Sequence, residues 1–320
     1  MFAYVGITKR YAPLDRSAEL VKVSLEDERI VARVTLPPPL FDLSHTDLKL
    51  RGGRQRGARG VTLFRDEVFV AAHDSIYRYD RKLTRLIGRV SCRRFNDLHE
   101  FLVNDKEIVV TCATANAVVW ATHDGGINRV WSPLEDLSIR DSFPDIPNGR
   151  TEDAEDWRMV YFESDPTHLN SISINPSGGH LVGLHRQAVL WNVEAGKIHH
   201  DARPIGASLT HNHVFLNGCN YINDTGSGQL YRISGKECFS LDLSMFGISE
   251  NRPANECSAT AMKHGWLRGL APVDQRRVIV GQCPASLVVV DFENRAVESV
   301  IHLSDDWRWS VHGIHIESKS

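Results

Sequence analysis

A single all-β domain, a six-bladed β-propeller closed by pairing of the C-terminal strand with the N-terminal strands, is the fold this sequence predicts. Three observations carry it: six copies of one strand pattern, a missing run at the amino end matched by a surplus run at the carboxyl end, and an ordinary globular composition of 42% apolar and 24% charged residues.

The repeat comes first, because self-similarity with several strands in each period of about 40–50 residues signals a propeller. Residues 3–7, 19–28 and 30–36 echo residues 278–282, 286–294 and 296–303, each set being three short β-rich runs divided by turn residues. Further copies lie at 68–72 with 75–80 and 86–90, at 108–112 with 117–121, at 181–184 with 188–192, and at 220–223 with 229–233. One more apolar run precedes five of the copies, at 61–63, 101–103, 172–174, 214–216 and 270–272. The first copy lacks such a run, while the run at 314–316 has no copy behind it. A ring resolves both defects. The carboxyl-terminal run becomes the innermost strand of a blade whose other strands come from residues 3–36, and no sheet edge stays open.

The expectation is therefore one domain over residues 1–320, its closing blade built from 1–36 plus 311–320, with insertions at about 37–58, 131–166 and 246–264. The first insertion carries Arg51, Arg54 and Arg56 and leads to Arg59; the second is long and acid-rich; the third is polar. Loops of this length are either surface or lids over a site.

Net charge of −3 and a pI near 6.6 give none of the basic excess that dominates duplex nucleic-acid binding. The first ten residues lack the order of a secretory signal, and no stretch approaches the roughly 18 apolar residues of a membrane span. The expectation is a soluble cytoplasmic protein with no nucleic-acid or membrane partner. The six cysteines show no C-x-x-C and read as small buried residues. Serine-hydrolase, P-loop, Rossmann and H-E-x-x-H motifs are absent.

Side chains just ahead of the innermost strands converge on the mouth of a propeller's channel. Those positions hold Arg59, His99, His168 with Asn170, His211 with Asn212 and His213, Arg268, and His312. Buried imidazoles and guanidiniums need partners or a ligand, and this mixture suits the oxygens of a sulfuryl, phosphoryl or carboxylate group. His73, His123, His180, His199, His200 and His302 read as ordinary core or surface residues.

Residues 167–191, T-H-L-N-S-I-S-I-N-P-S-G-G-H-L-V-G-L-H-R-Q-A-V-L-W, resemble the bacterial arylsulfate sulfotransferase family, six-bladed propellers with an H-x-N-S-I motif followed one strand later by arginine. His168, Asn170 and Arg186 match that pattern, N-D-L-H-E at 96–100 resembles the family's early histidine motif, and the region of 209–227 is similar to its nucleophile stretch. The core also resembles an uncharacterised group of bacterial propellers with H-L-N-G and R-G-L-A elements, which His168–Asn170 and Arg268–Ala271 match in part.

The sulfotransferase resemblance implies a histidine nucleophile, His211 here with His213 in reserve, and ping-pong kinetics. Arg186, Arg268, His168 and Asn170 would then stabilise the transferred group, with Arg59 as a further binding residue, and His99 or His312 would move the proton. The expected partner is a small anionic substrate in the channel, with no cofactor. One alternative is an iron, zinc or copper centre held by His99, His168, His211 and His312. Another is a non-catalytic ligand-binding or interaction propeller.

Overall fold

The computed structural model describes residues 1–10, 12–41, 57–147, 149, 154–160, 162, 165–247 and 265–317. Arg51, Arg54 and Arg56, most of the 246–264 insertion and parts of the other two lie outside the described residues.

Six four-stranded antiparallel sheets follow one another around the chain. Blade 1 contains β1 (Phe2–Lys9), β2 (Ala18–Ser24) and β3 (Arg29–Thr35); blade 2 contains β4 (Val61–Phe64), β5 (Glu67–Ala71), β6 (Ile76–Asp80) and β7 (Leu86–Val90). Blade 3 contains β8 (Leu98–Val103), β9 (Ile108–Cys112), β10 (Ala117–Ala121) and β11 (Ile127–Trp131). The sole α-helix among the described residues, α1 (Leu137–Ser142), follows in the acid-rich insertion. Blade 4 contains β12 (Leu169–Ile174), β13 (His180–Leu184), β14 (Val189–Asn192) and β15 (Lys197–Asp201). Blade 5 contains β16 (Thr210–Leu216), β17 (Cys219–Asp224), β18 (Gln229–Ser234) and β19 (Glu237–Asp242). Blade 6 contains β20 (Arg268–Pro272), β21 (Arg277–Gln282), β22 (Ser286–Asp291) and β23 (Ala296–His302), and β24 (Trp309–Glu317) returns to blade 1.

Closure is as the sequence predicts. Strand β24 pairs antiparallel with β1, setting Ile314 opposite Val5 and Ile316 opposite Ala3. The innermost strands β24, β4, β8, β12, β16 and β20 pack neighbour to neighbour around the axis.

Burial explains why the strands have the compositions they do. Middle strands lie between two blades and bury both faces, so β10 (A-V-V-W-A) and β22 (S-L-V-V-V-D) are buried at every position. The outermost β3 faces solvent on one side and alternates accordingly. The core is a ring of six apolar clusters, one at each blade interface. Val5, Val21, Ile279, Leu287 and Val311, for example, weld blade 6 to blade 1. Each such side chain contributes roughly 1.5–3 kcal/mol when fully buried.

Glycine is required where two inner strands nearly touch. A Cβ on Gly313 would lie 1.9 Å from the Arg59 carbonyl oxygen.

The described parts of the acid-rich insertion pack against the blades. Helix α1 is capped by the Asp136 side chain, which accepts from the Ser138 N–H, and Ile139, Phe143 and Ile146 join the blade 3–4 cluster. Farther along, Trp157 and Phe162 join the blade 2–3 cluster, and the Trp157 N–H donates to the Arg93 carbonyl at 2.7 Å. No helix among the described residues is long and apolar enough to cross a membrane.

Candidate functional site

The site arises from an irregularity shared by five of the six innermost strands. In β8, His99 and Glu100 together face the single residue Thr111, since Leu98 pairs with Cys112 and Phe101 with Val110. Asn170 in β12, Asn212 in β16, Gly269 in β20 and His312 in β24 are likewise extra residues, skipped by the pairing register. Such a bulge bends the strand and re-aims its side chains. Left-handed backbone accompanies it at Asp97, His168, Asn212 and Gly269 (φ 53°, 49°, 49° and 66°), a region that asparagine and aspartate tolerate and glycine enters freely.

The bulges point imidazoles at the axis. Ring nitrogens of His99, His211 and His312 lie within 4.8 Å of one another, and all three residues are buried. Ring centroids are 5.1 Å apart for His99 and His312, 5.0 Å for His211 and His312, and 5.1 Å for His99 and His168. A fifth imidazole, His185, stands 5.0 Å from His168 and 5.9 Å from His211.

Two guanidiniums enter this ring. Arg59 is compensated: its Nη1 lies 2.6 Å from Asp97 Oδ1 and 2.8 Å from His99 Nδ1. Arg268 has no carboxylate within ion-pair distance among the described residues. Arg268 is half-buried; its Nη1 donates to His312 Nε2 at 2.5 Å and to His211 Nε2 at 3.2 Å, it stacks 4.2 Å from the Trp266 ring, and its Nε has no hydrogen-bond partner among the described residues. Burial first, then repulsion from Arg10 and Arg59, pull its pKa well below the usual value. A guanidinium stays protonated in proteins, and Arg268 is half-buried, so its charge is met here by imidazoles, the Trp266 ring and what solvent reaches it.

The hydrogen bonds fix most ring tautomers. Gly269 N–H donates to Asn212 Oδ1 at 2.8 Å, and Asn212 Nδ2 donates to Glu100 Oε1 at 2.9 Å, which orients the amide. The 2.5 Å contact between His211 Nδ1 and Asn212 Oδ1 therefore has the imidazole as donor. The lone pair of His211 sits on Nε2, facing Arg268. His168 Nδ1 donates to Asp165 Oδ2 at 2.7 Å and His185 Nδ1 to the Thr210 carbonyl at 2.6 Å, so their lone pairs also sit on Nε2. His99 Nδ1 meets both Arg59 Nη1 at 2.8 Å and the Asp97 carbonyl at 3.1 Å, so its tautomer is not fixed by these bonds, and its Nε2 is a buried atom without a hydrogen-bond partner among the described residues.

His99, His185, His211 and His312 are neutral at neutral pH. Burial, followed by the nearby Arg268, holds His211 and His312 well below the ordinary imidazole value; burial and Arg59 do so for His99, burial and His168 for His185. Glu100 moves the other way, pushed up by burial to about 7 against the pull of its Asn212 bond.

Three predicted site residues lie apart from this cluster. His213, on the far side of the Asn212 bulge, bonds Ser173 Oγ and Asn220 Oδ1, both at 2.8 Å, and burial lowers its pKa to about 4. Asn170, fully buried, donates to the Thr210 carbonyl at 3.1 Å and so ties blade 4 to blade 5. Arg186 is half exposed; its Nε donates to the Asp165 carbonyl at 2.6 Å, and it lines a 430 Å³ cleft with Phe143, Ile146 and Arg203. Sequence reasoning missed His185, Asp97, Asp165 and the placement of Glu100. A signal existed for the first: His185 and His73 both follow the second strand of a blade, at turns on the same end of the ring as the inner-strand starts.

As a metal centre the cluster offers three of the four expected imidazoles, with a guanidinium beside them. These three, His99, His211 and His312, a number that catalytic zinc sites use, are grouped closely enough to hold a metal ion, while His168 stands outside the group and two of the three already accept from Arg268. A dication there would face that guanidinium directly.

No family model and no curated protein matches this chain. Solved structures do. A streptogramin B lyase is 9% identical at a TM-score of 0.54, covering 97% of this chain and 86% of that one. A catalytically inactive histidine-to-alanine virginiamycin B lyase from Staphylococcus aureus, with quinupristin, is 12% identical at 0.51, covering 95% and 85%. A chain of the nidogen–laminin complex is 10% identical at 0.57, covering 98% and 97%. At such identities the likeness establishes the fold, a six-bladed β-propeller.

Proposed function

We propose that the axial cluster binds a small anion and transfers a sulfuryl or related group through His211. The observation that carries this reading is Arg268: a half-buried guanidinium with imidazoles, not carboxylates, as its partners among the described residues, donating toward the very nitrogen that holds His211's lone pair. An anionic oxygen beside Arg268 would satisfy its charge and bring the central atom of the group within reach of His211 Nε2.

The chemistry then follows in two displacements. His211 Nε2 forms a bond to sulfur as the S–O bond to the donor breaks, its electron pair leaving on that oxygen. Arg268 holds the equatorial oxygens, joined by His99 Nε2 in the tautomer that carries its proton there. An acceptor hydroxyl next gives its proton to His168 Nε2, oriented from behind by Asp165, while its oxygen attacks sulfur and the N–S pair returns to His211. The solved inactive histidine variant of a lyase on this scaffold is consistent with histidine-dependent chemistry in a propeller.

A purely structural or interaction ring is less favoured, because holding a half-buried cation against neutral imidazoles rather than a carboxylate costs stability with no ligand to offset it. The test is incubation with 4-nitrophenyl sulfate and phenol, followed by intact-protein mass spectrometry. A sulfated intermediate mapped to His211, absent in a folded His211→Ala variant, is the expected result. Stoichiometric zinc, iron or copper in the purified protein, or turnover that survives His211→Ala, would overturn the reading.

A further inference from the structure

We propose that Asn212 and Glu100 form a positioning relay for His211, strung across the channel from blade 5 to blade 3, which makes Nε2 the reactive nitrogen of that ring. The proposal rests on the group-transfer reading above, and its first readout is independent of turnover.

The relay is read from the bond sequence His211 Nδ1–H to Asn212 Oδ1, then Asn212 Nδ2–H to Glu100 Oε1. Blades 3 and 5 are not neighbours, so the second bond spans the axis past blade 4. The Gly269 N–H, from blade 6, is the third anchor and prevents the amide from flipping. One side chain thus ties three blades together at the point where His211 needs a fixed acceptor. The backbone is shaped for it: Asn212 is the bulge residue, at φ 49°, and turns its amide into the channel while His213 turns into the interface between blades 4 and 5.

A neutral imidazole can carry its proton on either nitrogen, and the wrong tautomer has no lone pair to offer. Asn212 removes that ambiguity. When Nε2 becomes covalently loaded the ring turns cationic, and Nδ1–H becomes a stronger donor. The far end of the relay then answers: Glu100, whose burial lifts it to about 7, can release its proton to channel water and present a carboxylate to the Asn212 amide. His99, the preceding residue on the same bulge, is held neutral and does not compete for that proton.

Nitrogen-15 NMR of histidine-labelled protein, with His211 assigned by its loss in His211→Gln, reads the tautomer directly. The expected wild-type pattern is protonated Nδ1 and bare Nε2. Asn212→Gly keeps the left-handed backbone and deletes the side chain; it should move the tautomer ratio about tenfold toward Nε2–H. Asn212→Asp, which retains an acceptor, should restore the Nδ1–H form, and Glu100→Ala should shift the ratio less than Asn212→Gly. In parallel, Asn212→Gly should slow formation of the His211 adduct from 4-nitrophenyl sulfate about 100-fold, with sulfate affinity unchanged. A wild-type ring protonated on Nε2, a ratio unmoved in folded Asn212→Gly, or adduct formation undiminished despite a shifted ratio would each overturn the relay. The expected tautomers with no adduct in the wild type would instead uphold the relay and remove the transfer reading.

Discussion

Arg268 Nη1 stands 2.5 Å from His312 Nε2, a cation donating to a neutral ring where an ion pair would ordinarily be found. That bond joins blade 6 to the strand that closes blade 1, so the groups best placed to meet a ligand depend on ring closure itself.

Because Arg268 is half-buried against imidazoles rather than a carboxylate, its removal should weaken function and strengthen the fold. Arg268→Met is expected to lower sulfate affinity by roughly 10–100-fold, the worth of a charge-assisted hydrogen bond. Relief of a half-buried charge held by neutral rings should raise the unfolding temperature by about 2–4 °C for each kcal/mol recovered. Calorimetric titration with sulfate and a thermal melt check both. Unchanged affinity, or a lower melting temperature, would count against the role assigned to this guanidinium.

Stability should fall with acid, and the sign can be worked group by group. His99, His185, His211 and His312 are held well below the ordinary imidazole value, and His213 is at about 4. Below about pH 6.5 the unfolded chain therefore binds protons that the native rings refuse, and each such group removes up to about 1.4 kcal/mol per pH unit. Glu100 works in the opposite sense: raised to about 7, it holds a native proton that the unfolded chain has lost, and its contribution is lost as pH rises through 7. Five imidazoles outweigh one carboxyl, so the urea midpoint should drop between pH 7.5 and pH 5. Glu100→Gln should raise the midpoint at pH 8 and much less at pH 5. A flat midpoint, or a larger gain at pH 5, would show that these groups are not buried as described.

Closure should be the fold's most sensitive joint. Ile314 is 7% exposed and faces Val5 across the closing pair. Ile314→Asp places an unpaired charge there and is expected to cost about 3–5 kcal/mol. Val31→Asp, on the outer strand β3 at 42% exposure, should cost less than about 1 kcal/mol. Chemical denaturation of the two variants side by side decides it. Equal losses would mean that the terminal pairing adds nothing special.

The architecture was legible because burial on both faces of a blade writes itself into composition. Runs such as 287–290 and 117–121 are apolar throughout, while residues 29–35 place their polar residues at alternate positions, and those patterns recur at a spacing only a ring satisfies. The convergence of His99, His168, His211, His312, Arg59 and Arg268 was legible for the same reason, since each stands at the start of an innermost strand. His213 looked equivalent to His211. It is not, because the extra residue between them sends the two rings to different places, and a bulge leaves no mark on hydrophobic period.

What the sequence determined by itself, then, is the blade count, the closure between chain ends and the polar load delivered to the axis, all consequences of local pattern repeated. Partners were decided by tertiary structure alone. Asp97 neutralises Arg59 while Arg268 is left to imidazoles; Asp165 backs His168; Asn212 links His211 to Glu100 across the channel. Those choices turn on a few ångströms between residues 1 to 112 positions apart, and for the distant pairs proximity is set by how the blades pack, not by any one stretch of chain.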